Sequence, residues 1–160
     1  MLAAFRRLLG IRDPQRRRQA SAAFQARNIA ELAAAEAALT VNPDDVKALS
    51  SKANALWELR RLDESLPVFD RVLSLAPGRT SDWITKADVL AHLGRREEAL
   101  TVVDEALRLH PYEPTLYDVK ALLLRDMGRD AEALLLRDMG RDAEAKDAEA
   151  KDAEARGMLP

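Results

Sequence analysis

The sequence predicts an all-α protein in which antiparallel helix pairs stack into a solenoid. Three observations carry that expectation. Alanine, leucine, arginine, glutamate and aspartate dominate a composition that is 48% apolar, 32% charged and only 4% aromatic, the mix of helical proteins. Residues of the same type recur every 34 positions. A unit of that length holds two helices and cannot bury its own apolar face, so neighbouring units must stack.

Composition also excludes several function classes. The 160 residues suit one ordinary domain or a short repeat array. The absence of cysteine removes disulfides, thiolate zinc sites and cysteine nucleophiles. Two histidines, His92 and His110, leave little for a histidine-based metal site. A net charge of −2 argues against a surface built for nucleic acid. No apolar run approaches the roughly 18 residues that span a bilayer. Arg6 and Arg7 interrupt the opening MLAAFRRLLGI where a signal peptide needs an unbroken apolar stretch. The expectation is a cytoplasmic protein.

The elements follow in order. Residues 1–11 form a short basic amphipathic segment, with Leu2, Phe5 and Leu9 on one helical face. Such a segment suits either a cap over the first repeat or a contact with a membrane surface. Residues 1–18 hold six arginines against Asp13 alone, and the cluster Arg16, Arg17, Arg18 reads as a solvated face. Residues 12–45 are a degenerate first unit, in register through Ala38, Leu39, Val41 and Pro43, with Phe24 available to pack inward. Residues 46–79 and 80–113 are full units. Residues 114–145 are a unit with an atypical second helix, and 146–160 are a charged helical or frayed tail. The predicted helices are 15–26, 29–41, 44–59, 63–76, 79–93, 96–109, 113–127 and 130–140.

The repeat columns are explicit. Pro43, Pro77 and Pro111 are in step, as are Ala53, Ala87 and Ala121, Leu56, Leu90 and Leu124, and Lys52, Lys86 and Lys120. Gly94 matches Gly128, and Leu66 matches Leu100 and Leu134. Trp83, Ala87 and Leu90 share one helical face. Alanines at 53, 87, 99 and 106 permit close helix approach. Gly94 and Gly128 suit the left-handed position that ends a helix, and Pro77 and Pro111 stop the second helices.

Residues 80–113, TSDWITKADVLAHLGRREEALTVVDEALRLHPYE, carry the pattern most completely, through Trp83, Ala87, Leu90, Gly94, Ala99, Val103, Ala106 and Pro111. On these residues the chain resembles the tetratricopeptide repeat (TPR) family over roughly residues 12–145. The resemblance implies a solenoid with right-handed superhelical curvature and no catalytic activity or cofactor. It also implies a protein or peptide partner held in a groove lined by the first helix of each unit. Carried onto this sequence, the groove is Lys47, Ser50, Ser51, Asn54, Trp57, Ile84, Thr85, Asp88, His92, Thr115 and Asp118. A subset of the family clamps a carboxylate with lysine, asparagine and arginine. Those places are held here by Ser50, Asn54, Thr85, Thr115 and Val119, and only Asn54 fits, which disfavours that role. Trp57, beside Asn54 and Ser50, reads either as an anchor for a ligand or as a residue covered by the first unit.

The last third repeats in a second way. ALLLRDMGRDAE at 121–132 recurs unchanged at 133–144, and AKDAE occurs at 145–149 and 150–154. The copy sets Arg137, Gly140 and Ala145 in the columns of Val103, Ala106 and Pro111, which disrupts the packing face of the last helix. Pairs such as Asp147 with Lys151 lie one turn apart on the tail. Self-association through this altered unit is one expectation; a membrane-surface adaptor is another.

No enzyme chemistry is legible. His92 has Asp88 four residues before it but no recognisable nucleophile, and His110 reads as a helix-end residue. The acidic tail lacks the turn glycine of a calcium loop, and no phosphate-binding glycine motif is present.

Overall fold

The computed structural model describes the backbone of residues 14–155, with the side chains of 21–146, 148 and 149. The segment 1–11, the side chains of Arg16, Arg17 and Arg18, the pair Asp147 and Lys151, and the end of the tail lie outside the described residues. Among the described residues there are seven helices: α1 Pro14–Val41, α2 Val46–Glu58, α3 Leu62–Leu75, α4 Thr80–His92, α5 Arg96–Leu109, α6 Pro114–Asp126 and α7 Asp130–Ala155. None of them is long and apolar enough to cross a membrane. The chain divides into two compact units, Met1–Ser65 and Leu66–Pro160.

In the first unit, α1 packs against α2. The two helices expected over 15–26 and 29–41 are one continuous helix of 28 residues. The reason is local. Position 26 is the column of Gly94 and Gly128, and Ala26 has no preference for the left-handed conformation that would end a helix there. Asn28, Leu32 and Ala35 form the buried stripe of α1, spaced at i, i+4 and i+7. Phe24, available to pack inward, is 47% exposed. Asp45 caps α2, its side chain accepting from the amides of Lys47 at 2.9 Å and Ala48 at 3.1 Å. Ala53, Ala55 and Leu56 are buried on α2.

In the second unit α4 packs on α5, α5 on α6 and α6 on α7, and α4 also touches α6. Of the expected columns, Ala87, Leu90, Ala99, Val103, Ala106 and Leu124 are buried; Leu116, which no column singled out, is buried with them, and Leu134 is exposed. Burying a Val or Leu side chain contributes about 1.5–3 kcal/mol. Trp83 and Tyr117, one period apart, each hydrogen-bond the carbonyl of the preceding proline, at 2.8 Å to Pro77 and 2.9 Å to Pro111. These bonds tie each first helix to the turn that precedes it.

Three helix ends are built alike. The amides of Arg61, Arg95 and Arg129 donate back to the carbonyls of Leu56, Leu90 and Leu124 at 2.8–2.9 Å, the bond that closes a helix through a left-handed residue. That residue is Gly94 (φ 77°) and Gly128 (φ 74°) in two of them, but Arg60 (φ 62°) in the third. Arg61, Arg95 and Arg129 then reach Glu64, Glu98 and Glu132 with two bonds each, all 2.6–2.7 Å. This pairing holds the carboxyls of Glu64, Glu98 and Glu132 below their ordinary range, with the hydrogen bond from the arginine as the largest cause.

A second ladder joins each first helix to the helix before it. Lys52 pairs with Glu36 at 3.0 Å, Lys86 with Asp70 at 2.7 Å and Lys120 with Asp104 at 2.6 Å. The lysine column is visible in the sequence. Its acid column, one half-repeat upstream, is a feature the sequence reading passed over.

The helix expected over 130–140 runs on without a break to Ala155. Position 145 is the column of Pro77 and Pro111, and Ala145 cannot stop a helix. Among the described residues of α7, Ala133, Leu136, Gly140 and Ala143 are buried, whereas Leu134, Leu135 and Met139 are exposed.

Candidate functional site

The residues expected to meet a partner fall on both units. In the first, Lys47 is exposed, Asn54 and Trp57 are half-buried, and Ser50 is buried. The Ser50 hydroxyl accepts from Asn54 Nδ2 at 3.5 Å, so these two side chains engage each other along α2. The Trp57 indole nitrogen is buried and meets no hydrogen-bond acceptor, and the same holds for Asn28 Nδ2. A ligand approaching Trp57 would therefore meet ring carbon and not its polar hydrogen.

In the second unit, Ile84, Thr85 and Asp88 on α4 are half-buried and His92 is exposed. Thr85 Oγ1 donates to the Ser81 carbonyl at 2.9 Å, which turns its hydroxyl toward its own backbone. His92 Nδ1 lies 2.9 Å from the Asp88 carbonyl and 3.3 Å from Asp88 Oδ1. The imidazole is thus held by its own helix. On α6, Thr115, Asp118 and Asp126 are exposed and Val119 is half-buried. His110 lies 3.2 Å from the Pro77 carbonyl through Nε2, a contact that steadies the helix end.

One residue of this surface was missed by the sequence reading. Leu122 is 57% exposed, and it stands one period after Asp88 and two after Asn54. The signal was available as an apolar residue in a column otherwise polar. Leu122 supplies an exposed apolar residue to α6, one helical turn from Asp118 and from Asp126 on the same helix. Asp82, buried in the first turn of α4, is paired with Arg79 and belongs to the helix start.

Among the described residues no group of three or more acidic or histidine side chains is placed to hold a metal ion. The chemistry on offer is recognition, through an apolar centre with charged and hydroxyl groups around it. Together with the 34-residue helix pairs, this defines a repeat protein of the protein-interaction class.

Two tetratricopeptide repeat family models match the chain, over residues 17–80 and 80–123. The chain belongs to the tetratricopeptide repeat family. Among solved structures it is similar to MamA MSR-1, at 22% identity and TM-score 0.61 over 72% of this chain and 67% of that one. It is similar to MamA AMB-1 at 25% identity and TM-score 0.59, over 71% of this chain and 66% of that one. A further crystal structure of MamA matches at 14% identity and TM-score 0.66, over 74% and 69%. These similarities support the all-helical repeat fold. No curated protein matches the chain.

Proposed function

We propose that the second unit uses the α4–α6 surface to hold a basic amphipathic peptide or helix of a partner protein. The observation that carries this reading is Leu122, a large apolar side chain exposed on α6 one turn from Asp118 and Asp126, with Asp88 in its own repeat column on α4. An amphipathic helix lays apolar anchors on such a centre, and lysine or arginine on its flanks complements the aspartates. On this reading the groove residues Ile84, Thr85, Asp88, His92 and Asp118 complete the binding surface. Titration with a leucine- and lysine-bearing helical peptide tests it. Leu122→Ala should weaken binding about 10-fold or more, since truncating an anchor costs roughly 1–2 kcal/mol or more. Asp118→Lys should weaken it further and reduce its salt dependence. Equal affinity for wild type and both variants overturns the reading.

A second reading is self-association through α7. Its support is that Leu134 is 62% exposed whereas Leu100, one period earlier, is buried. Exposed clusters of this kind mark association sites. Sedimentation velocity across a concentration series, with Leu134→Lys as the control, separates association from a monomer.

A further inference from the structure

The overrun of α7 builds a feature that the preceding second helices lack. Helices α3 and α5 end at Leu75 and Leu109, just before Pro77 and Pro111. Helix α7 continues for twelve residues past the equivalent place, Ala143, to Ala155. Gly140 lets it lie tight on α6, because a Cβ there would stand 3.2 Å from Tyr117 Cβ. Beyond this contact, α7 forms one wall of a cleft of about 270 Å³, whose other walls are the turn after α5 and the start of α6. Its lining includes Pro111, Tyr112, Tyr117, Met139, Asp142 and Lys146.

Both tyrosines of the chain meet here. Tyr112 is 54% exposed and Met139 46%, so their apolar surfaces are open to a ligand. The Tyr117 hydroxyl donates to the Pro111 carbonyl, which fixes the ring. A volume near 270 Å³ falls just below the range of about 300–1,000 Å³ of cofactor and drug-sized sites. It matches one large side chain with its backbone.

We propose that this cleft takes an aromatic side chain bearing a polar hydrogen, tryptophan or tyrosine, from a partner peptide. Five lining groups, Tyr112, Tyr117, Met139, Asp142 and Lys146, favour such a ring over an aliphatic side chain. The tyrosine rings pack edge to face or offset against an aromatic ring. The Met139 sulfur contacts a ring edge. The Lys146 ammonium complements the electron-rich ring face, and the Asp142 carboxylate accepts the indole N–H or phenol O–H. The site is independent of the Leu122 surface.

The probes are the peptides Gly-Trp-Gly and Gly-Leu-Gly, followed by amide chemical shifts of the isotopically labelled full chain. Gly-Trp-Gly should shift resonances around Tyr112, Tyr117 and Met139 and bind at least 5-fold more tightly than Gly-Leu-Gly. Tyr112→Ala and Met139→Ala should each weaken it at least 3-fold with an unchanged melting temperature. Leu122→Ala should leave it unaltered, which separates this site from the α4–α6 surface. Equal binding of the two peptides, shifts located elsewhere, or no response at millimolar peptide overturns the proposal. A melting temperature lowered by either alanine variant also overturns it, because the side chain would then be structural.

Discussion

The twelve residues ALLLRDMGRDAE occur twice in succession and adopt two different structures. At 121–132 they are the end of α6, a turn, and the start of α7; at 133–144 they are uninterrupted helix. Gly128 is left-handed and the amides of Gly128 and Arg129 close the end of α6. Gly140, in the same local sequence, lies inside a helix and against Tyr117. Leu123 is buried at 5% exposure, while its counterpart Leu135 is 65% exposed. Arg129 makes two short bonds to Glu132, whereas Arg141 turns instead to Asp138 at 3.4 Å. Local sequence permits both outcomes. What selects between them is the neighbour. Turning at Gly128 returns α7 onto α6 and buries Ala133 and Leu136, and a second turn at Gly140 would give up its close approach to Tyr117.

The sharpest break in this comparison is at the leucines. Leu123→Ala should destabilise the protein by about 2–4 kcal/mol through lost burial and a cavity. Leu135→Ala should cost less than about 0.5 kcal/mol. Urea unfolding followed by circular dichroism measures both, and similar losses would mean that the two copies are packed alike.

The glycines come next. Gly128→Ala forces a side chain into the left-handed region and should cost about 1–2 kcal/mol. For Gly140→Ala the gain in helix propensity of about 1 kcal/mol works against a 3.2 Å contact with Tyr117 Cβ. The net change should stay within about 1 kcal/mol of zero and be smaller than that of Gly128→Ala. A reversed order would place the turn at Gly140.

Arg60 extends the comparison to a third helix end. It occupies with φ 62° the position that Gly94 and Gly128 fill elsewhere. Arg60→Gly should therefore stabilise by about 1 kcal/mol, by removing left-handed strain that glycine does not suffer. An unchanged denaturation midpoint would show that the arginine is not strained there.

The smallest effect concerns pH. Glu64, Glu98 and Glu132 have carboxyls lowered in the folded chain by their arginines. Their contribution is present above the ordinary carboxylate range and is lost as pH falls through the lowered folded values. Replacing all three by glutamine should flatten the decline of stability as pH falls below the ordinary carboxylate range without altering the fold. Identical acid profiles for wild type and variant would show that the pairs contribute nothing measurable.

The Lys52, Lys86 and Lys120 column was visible in the sequence, yet its pairing with Glu36, Asp70 and Asp104 across helices required the fold. Leu122 could have been noticed as an apolar residue in a polar column; its exposure is a property of the packed α6. Ser50, read as a groove residue, is buried because it shares the inward face of α2 with Ala53, while Lys47 and Ser51 on the same turn are exposed. Trp57 shows the same limit: helical phase placed it near the surface, and packing set it half-buried with its N–H shut away.

By itself, the sequence determined the helical class, the 34-residue period, the helix ends at Gly94 and Gly128 and the core of alanine and leucine columns. These follow from short-range physics: backbone preference at glycine and proline, and the 3.6-residue periodicity of an apolar face. The tertiary structure alone decided that two identical segments differ and that α7 stands beside Tyr112 and Tyr117 to form a cleft. In each of these places several local conformations lie close in energy. The choice passes to burial and close contact with residues distant in sequence.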